Sequence, residues 1–155
     1  MRSPRTWLPA TLAVAVLIFT VAACGSGSAS PDSGGLPVVS DAWVRPPVGT
    51  DRPAAGYMTI TNPGVDADRL IGASSPIATS VELHETMAGA SGMMGMQPVD
   101  EIEVAPGSPV TLEPGGYHLM LMGVTDMPAI GETVPLTLTF ELAGDIVVQA
   151  EVRAD

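Results

Sequence analysis

Residues 133–153 read TVPLTLTFELAGDIVVQAEVR, and this stretch decides the fold class. Leu136, Leu138, Phe140 and Leu142 alternate with Thr137, Thr139 and Glu141, so an extended strand here is apolar on one face and polar on the other. Ala143-Gly144-Asp145 interrupts the run with residues that favour a turn, and 146–153 resumes it. Two such strands joined by a turn make a β-hairpin. Pro135 has no N–H for a ladder, which places it at an edge or a strand end.

The same pattern repeats towards the N-terminus. Short apolar stretches rich in β-branched residues at 37–44, 57–62, 68–73, 80–85, 94–99, 109–112 and 117–124 precede the strands at 133–142 and 146–153. Arg45-Pro46-Pro47, Asn62-Pro63-Gly64 and Pro114-Gly115-Gly116 punctuate them. No window of this region carries a helical period, so the expected class is an all-β sandwich or barrel. Its core should come from Val39, Trp43, Met58, Ile60, Leu70, Ile71, Val81, Leu83, Leu119, Leu121, Leu138 and Phe140.

The first residues differ in kind. Arg2 and Arg5 precede a largely apolar, uncharged run from Leu8 to Ala23, which is short for a membrane span and ends in small residues as signal peptides do. Its end, Val21-Ala22-Ala23-Cys24, resembles the lipobox of bacterial lipoproteins, in which the cysteine is acylated and becomes the first mature residue. The expected organisation is a signal peptide at 1–23, an acylated Cys24 opening a flexible Gly/Ser tether at 24–35, and one folded domain at 36–155. The protein would then be extracytoplasmic, held to the cell membrane by its N-terminal lipid. Cys24 is the chain's single cysteine, so the domain has no internal disulfide and no thiolate for catalysis, for zinc or for a blue-copper centre.

From Cys24 onward the chain carries four Arg and no Lys against 17 acidic residues, a formal charge of −13. Nucleic acid is excluded as a partner, because binding it requires neutralising phosphates with Lys and Arg.

Methionine is unevenly placed. Met87, Met93, Met94, Met96, Met120, Met122 and Met127 fall within one stretch, which also holds the chain's two histidines, His84 and His118. Thioethers are soft ligands that select Cu(I), and imidazole serves copper in either oxidation state. In a strand, His118, Met120 and Met122 share one face and Leu119 and Leu121 the other, with the His118 and Met120 α-carbons about 7 Å apart. Glu82 and His84 likewise share a face opposite Val81 and Leu83, with His84 near a strand end. Met96 follows a loop, 88–95, able to fold its sulfur back towards the histidines. Met122 reads as packing beside the site and Met127 as cover, while Met87, Met93 and Met94 remain ambiguous. Glu82, Glu85, Asp100, Glu101 and Glu103 read as solvated surface.

These residues resemble the periplasmic copper chaperone family PCu(A)C, whose pattern is His, ten residues, Met, twenty-one residues, His-x-Met. His84, Met96, His118 and Met120 fit it, with Asp41-Ala42-Trp43-Val44-Arg45, Ala55-Gly56-Tyr57-Met58 and Pro114-Gly115-Gly116-Tyr117-His118-Leu119-Met120 as supporting text. The first interval holds one residue more than the pattern, and Met94 therefore competes with Met96 as the loop ligand. The resemblance implies a cupredoxin-like Greek-key β-sandwich and a Cu(I) site, with Cu(II) binding left open. It also implies delivery to the binuclear copper centre of cytochrome c oxidase subunit II, alongside Sco-type thiol proteins, with no enzymatic step. Two other readings stay open: copper storage or tolerance, and a lipoprotein binding or adhesion module without metal.

Overall fold

The computed structural model describes residues 35–49, 52–89 and 93–154. Cys24, the signal peptide and nearly all of the tether lie outside them.

Among the described residues ten strands form one sheet: β1 (Val38–Arg45), β2 (Ala54–Thr61), β3 (Asp68–Ser74), β4 (Ser80–Ala88), β5 (Met94–Pro98), β6 (Ile102–Val104), β7 (Val110–Leu112), β8 (Tyr117–Met122), β9 (Thr133–Phe140) and β10 (Gly144–Val152). Their order is β5-β4-β8-β7-β2-β1-β10-β9-β3-β6, with further pairings of β4 to β3 and β8 to β2. Those extra pairings close the sheet into a barrel, β4-β8-β2-β1-β10-β9-β3 and back to β4. Closure leaves no free edge on the ring itself, and β5 and β6 hang outside it on β4 and β3.

All nine strands expected from the alternation are present, and the hairpin of β9 and β10 pairs from Gly144↔Phe140 to Glu151↔Thr133. Pro135 lies beyond the last β3 partner of β9, Ser74↔Thr137, where β9 has one neighbour. The strand not expected is β6, three residues of Ile-Glu-Val held against Asp68–Leu70. β7 and β8 run in the same direction along one edge of β2, β7 against Met58–Ile60 and β8 against Ala54–Gly56. The turn at 113–116 is an excursion between the two, and Gly115 supplies its positive φ of 90°.

The barrel is filled by aliphatics: Met58, Ile60, Leu70, Leu112, Leu119, Leu121, Leu136, Leu138 and Phe140 are all at most 2% exposed. Each buried side chain of this size contributes about 1.5–3 kcal/mol, and with no cysteine in the domain this burial is the main source of stability. Eight of the expected core residues are buried as read, and Val39 and Val81 are half-buried against the core. Two others sit elsewhere: a bulge resets the alternation before Trp43, and Ile71, next to the buried Leu70, falls on the opposite face. In β1 the register against β2 slips between Ser40 and Trp43, with Asp41 at φ 50°. Val44 therefore takes the core position and Trp43 faces outward, half-buried. In β3 the register passes from Leu70↔Phe140 to Gly72↔Thr139, which leaves Ile71 unpaired and 45% exposed. Leu142 is exposed as well, because β9 ends at Phe140.

The hairpin turn is tied to β3 by a buried carboxylate. Asp68 Oδ1 accepts from the backbone N–H of Arg69 (2.7 Å) and of Leu142 (2.9 Å), and Oδ2 from that of Ala143 (3.0 Å). Asn62 performs the same service for β6, donating to the carbonyls of Val104 and Asp66. Asp68→Ala leaves these donors without acceptors, and the expected loss in unfolding free energy is about 3 kcal/mol by urea denaturation. A loss below about 1 kcal/mol would remove the carboxylate from this role.

Candidate metal centre

β4 and β8 pair from Ser80↔Met122 to Glu85↔Tyr117, so Leu83 faces Leu119 inside the barrel and His84 faces His118 outside it. Directly opposed residues share a face, and the outer face can be followed across the sheet. Trp43 is opposite Tyr57 on β2. The pairing of Gly56 with Leu119 brings Tyr57 alongside His118, and His84 is opposite Pro98 on β5. Ring centroids along this row lie 4.5 Å (Trp43–Tyr57), 6.4 Å (Tyr57–His118) and 5.8 Å (His118–His84) apart. Both imidazoles are buried although they face outward, His84 at 9% and His118 at 5% exposure.

The thioethers occupy the same face. Met120 is opposite Glu82 on β4 and Ala55 on β2, one alternation from His118. Met96 is opposite Thr86, one alternation from the His84 row on its other side. Met94, opposite Ala88, lies one alternation further out, about 14 Å along β5 from the residue facing His84. Met87 and Met93 belong to the other face, since Met87 is opposite Gly95 and the N–H of Gly89 donates to the carbonyl of Met93. Met122 is half-buried at the end of β8, and Met127 packs against the core.

Two expectations change. His84 is not near a strand end, because β4 runs on to Ala88. Met96 is carried to the histidines by strand pairing and not by a folded-back loop. A groove of about 720 Å³ opens on this face, lined by Met96, His118 and Met120 together with Thr86, Tyr57 and Arg45. His84 stands beside the groove without lining it.

The hydrogen bonds fix which ring nitrogen carries each proton. Glu82 Oε2 accepts at 2.9 Å from His84 Nε2, since a carboxylate can only accept. The neutral ring then holds its lone pair on Nδ1, and that atom is buried without a hydrogen-bond partner. His118 Nδ1 donates to the carbonyl of Gly116 at 3.1 Å, which leaves its lone pair on Nε2. Each histidine thus has one nitrogen tied to a protein acceptor and the other open, as metal-binding histidines have. The residues that do the tying, Glu82 and Gly116, were not singled out from the sequence as part of a site. The spacing Glu-x-His carried the signal for Glu82, since alternate residues share a face. Among the described residues no three His, Cys, Asp or Glu side chains gather as a metal site. The candidate donors on this face are two imidazoles, which are borderline ligands, and soft thioethers.

A family model described as "Putative lipoprotein LpqE-like" matches residues 38–152. The chain belongs to this LpqE-like family. A protein of Leifsonia xyli subsp. xyli described as "Putative lipoprotein Lxx21020" is 33% identical over 102 residues, which cover 66% of this chain and 60% of the relative's own length. Among solved structures, the copper-bound PCuAC domain from PmoF2 is 32% identical with a TM-score of 0.67, covering 79% of this chain and 97% of that one. The solution structure of CuI-DR1885 from Deinococcus radiodurans is 34% identical with a TM-score of 0.61, covering 84% and 86%. The all-β barrel of this LpqE-like protein is thus the cupredoxin-like fold of PCuAC domains.

The tautomers are directly measurable. Long-range ¹H–¹⁵N correlation of the metal-free protein, at a pH where both rings are neutral, should show His84 protonated on Nε2 and His118 on Nδ1. The reverse assignment at either ring would contradict the hydrogen bonds described above.

Proposed function

We propose that this domain binds one Cu(I) through His84, Met96, His118 and Met120 and passes it on by ligand exchange. The observation that carries this reading is the His84–His118 pair, cross-strand partners that each keep one ring nitrogen open on a face shared with Met120 and Met96. Copper-bound relatives of the same fold support it. Copper is cargo here, not a cofactor, and no residue is asked to act as acid, base or nucleophile.

Neutral thioethers bind Cu(I) without competition from protons, so only the two imidazoles couple affinity to pH. Glu82 holds the His84 ring and places a negative charge beside a cationic complex whose other ligands are neutral. Met96 is the most accessible member, 63% exposed on a strand whose one pairing neighbour among the described residues is β4. It is the natural first ligand to be exchanged with an incoming acceptor. We assign the pattern's loop methionine to Met96 and not Met94, since Met94 stands one alternation further from the histidines.

The chain is read as a lipoprotein, acylated at Cys24, that works on the extracytoplasmic face of the membrane, in keeping with the family it belongs to. Its acceptor is read as the binuclear copper centre of cytochrome c oxidase subunit II, with a Sco-type thiol protein as the companion that supplies thiol chemistry this domain lacks. Cu(II) could occupy the imidazole pair, but the thioethers favour the monovalent ion.

An anaerobic Cu(I) competition titration of the chain beginning after Cys24 tests the site. The expected outcome is one tight equivalent, with His118→Ala and Met96→Leu weakening it by about 100-fold or more and Glu82→Gln by about 10- to 100-fold. Met94→Leu should stay within about twofold of wild type. Weakening by Met94→Leu in place of Met96→Leu would move the ligand along β5, and no binding above background would overturn the copper reading.

A further inference from the structure

β5 is the outermost strand at one end of the sheet, and its ladder is used on one side. The N–H of Val99 donates to the carbonyl of Leu83 at 2.9 Å, and the N–H of Gly89 donates to the carbonyl of Met93 at 2.8 Å. Hydrogen-bonded and non-bonded pairs alternate in an antiparallel ladder, so Met93, Gly95 and Gln97 point their backbone groups at β4. Met94 and Met96 therefore aim their N–H and C=O groups away from the sheet. Among the described residues, β4 is the one strand that pairs with β5. The two methionine side chains, 64% and 63% exposed, lie on the outer face with the histidines. The function proposed above employs Met96 and leaves Met94 without a task.

This edge lacks the charges that usually keep sheet edges apart. From Thr86 to Val99 the sequence holds no charged residue, although the chain from Cys24 onward carries −13. β6, at the opposite end of the sheet, has Asp100 and Glu101 before it and Glu103 within it. The β5 edge is also complementary to itself. When a second β5 is laid antiparallel to it about Gly95, Met94 comes opposite Met96 of the second copy, and Met96 opposite Met94 of the second copy. Each of these pairs exchanges two hydrogen bonds, so every outward N–H and C=O of the four methionines is used. A slide that sets Met96 opposite itself brings Pro98, which has no N–H, opposite Met94 and loses a bond in each such pair.

We propose that two copies of this chain pair through their β5 edges, and that the four thioethers gathered at the twofold axis form a Cu(I) site shared by both. Met94 and Met96 of the two copies mark a rectangle of about 5.5 by 7 Å between α-carbons, all on the outer face. Thioethers on long, flexible side chains can close on one soft ion across that span. Met96 belongs both to this site and to the one with His84 and His118, so an ion at the axis has let go of the histidines. It then stands equally near the histidines of either copy, and copper crosses between copies by exchanging thioether for imidazole. That role rests on the function proposed above, whereas the pairing rests on backbone geometry and charge alone. Repulsion between two chains of the same sign keeps the association weak at low ionic strength and confines it to the uncharged edge.

The test uses the chain beginning after Cys24, which keeps the whole closed barrel and has no native thiol, free of metal and in salt near 0.3 M. Gly95→Cys is accommodated, since a Cβ there meets nothing within 4 Å. At the axis two such thiols are direct neighbours, about 4.5 Å apart at the α-carbons and within disulfide range. In a glutathione redox buffer Gly95→Cys should cross-link about tenfold faster than Gln97→Cys, an exposed position on the same strand whose two copies lie about 14 Å apart in this pairing. Met94→Pro removes an outward N–H without touching the ladder to β4, and adding it should lower the Gly95→Cys rate to that of Gln97→Cys. Equal rates at positions 95 and 97, or cross-linking that survives Met94→Pro, would overturn the pairing. A second arm mixes Cu(I)-loaded wild type with a metal-free, ¹⁵N-labelled copy under anaerobic conditions and follows the His118 ring signals as copper arrives. Met94→Leu in both copies should slow this transfer about tenfold while the affinity for the first equivalent stays within about twofold. Transfer at the wild-type rate in that variant would overturn the shared site and leave the chaperone reading standing. Cross-linking at Gly95 in a protein that takes up no Cu(I) would instead overturn the copper reading, and the shared site with it, while the interface stood.

Discussion

The register of β8 against β4 is the constraint on which the site depends. The pairing that sets Leu83 against Leu119 in the core sets His84 against His118 outside it. A slip of one residue would set His118 or Met120 opposite Leu83, expose one of the two leucines and pull the imidazoles apart. Burying those leucines is worth several kcal/mol, far more than two imidazoles could gain by facing one another. The aliphatic core thus enforces the arrangement of polar residues on the opposite side of the same strands. The pairing of the two histidines does not depend on a bond between them, so a buried nitrogen can be left open.

The same logic extends outward in both directions. β2 brings Tyr57 alongside His118, and β1 brings Trp43 and Arg45 to that row because its bulge reverses the facing of the strand after Ala42. Asp41, the non-glycine residue with positive φ among the described residues, lies at this bulge. Local strain there is tied to what the face presents. On the other side, β5 continues the face with Met96 and Met94.

Much of this was legible in the sequence, and the part that was not has a physical cause. Alternation is a property of one strand, so it revealed the strands, most of the core and the common facing of His118 and Met120. Register is a relation between strands, and nothing in either strand alone places His84 opposite His118 in preference to a neighbouring position. Bulges are relational too, which is why alternation alone puts Trp43 in the core and passes over Val44, whereas Ile71 reads as core for its apolar side chain although its neighbour Leu70 already takes the inner face. β6 is too short to show a period, and its glutamate faces outward between two buried residues, as any turn might. The donor types were readable from composition, because the folded domain has no cysteine and gathers its methionines around the chain's two histidines. Glu82 was visible as a charge but not as a partner, since its role depends on where His84 points.

β5 lies outside the ring of closed strands, and all five of its residues are exposed. Its attachment rests on backbone bonds to one neighbour, with almost no apolar burial behind them. Such an element opens at a small fraction of the free energy needed to unfold the whole domain. Detaching it would carry Met96 away from the histidines while the barrel stayed intact. The free energy of opening the site and that of melting the fold are thus set by separate groups of residues. Sequence change can make this domain sturdier without making it grip harder.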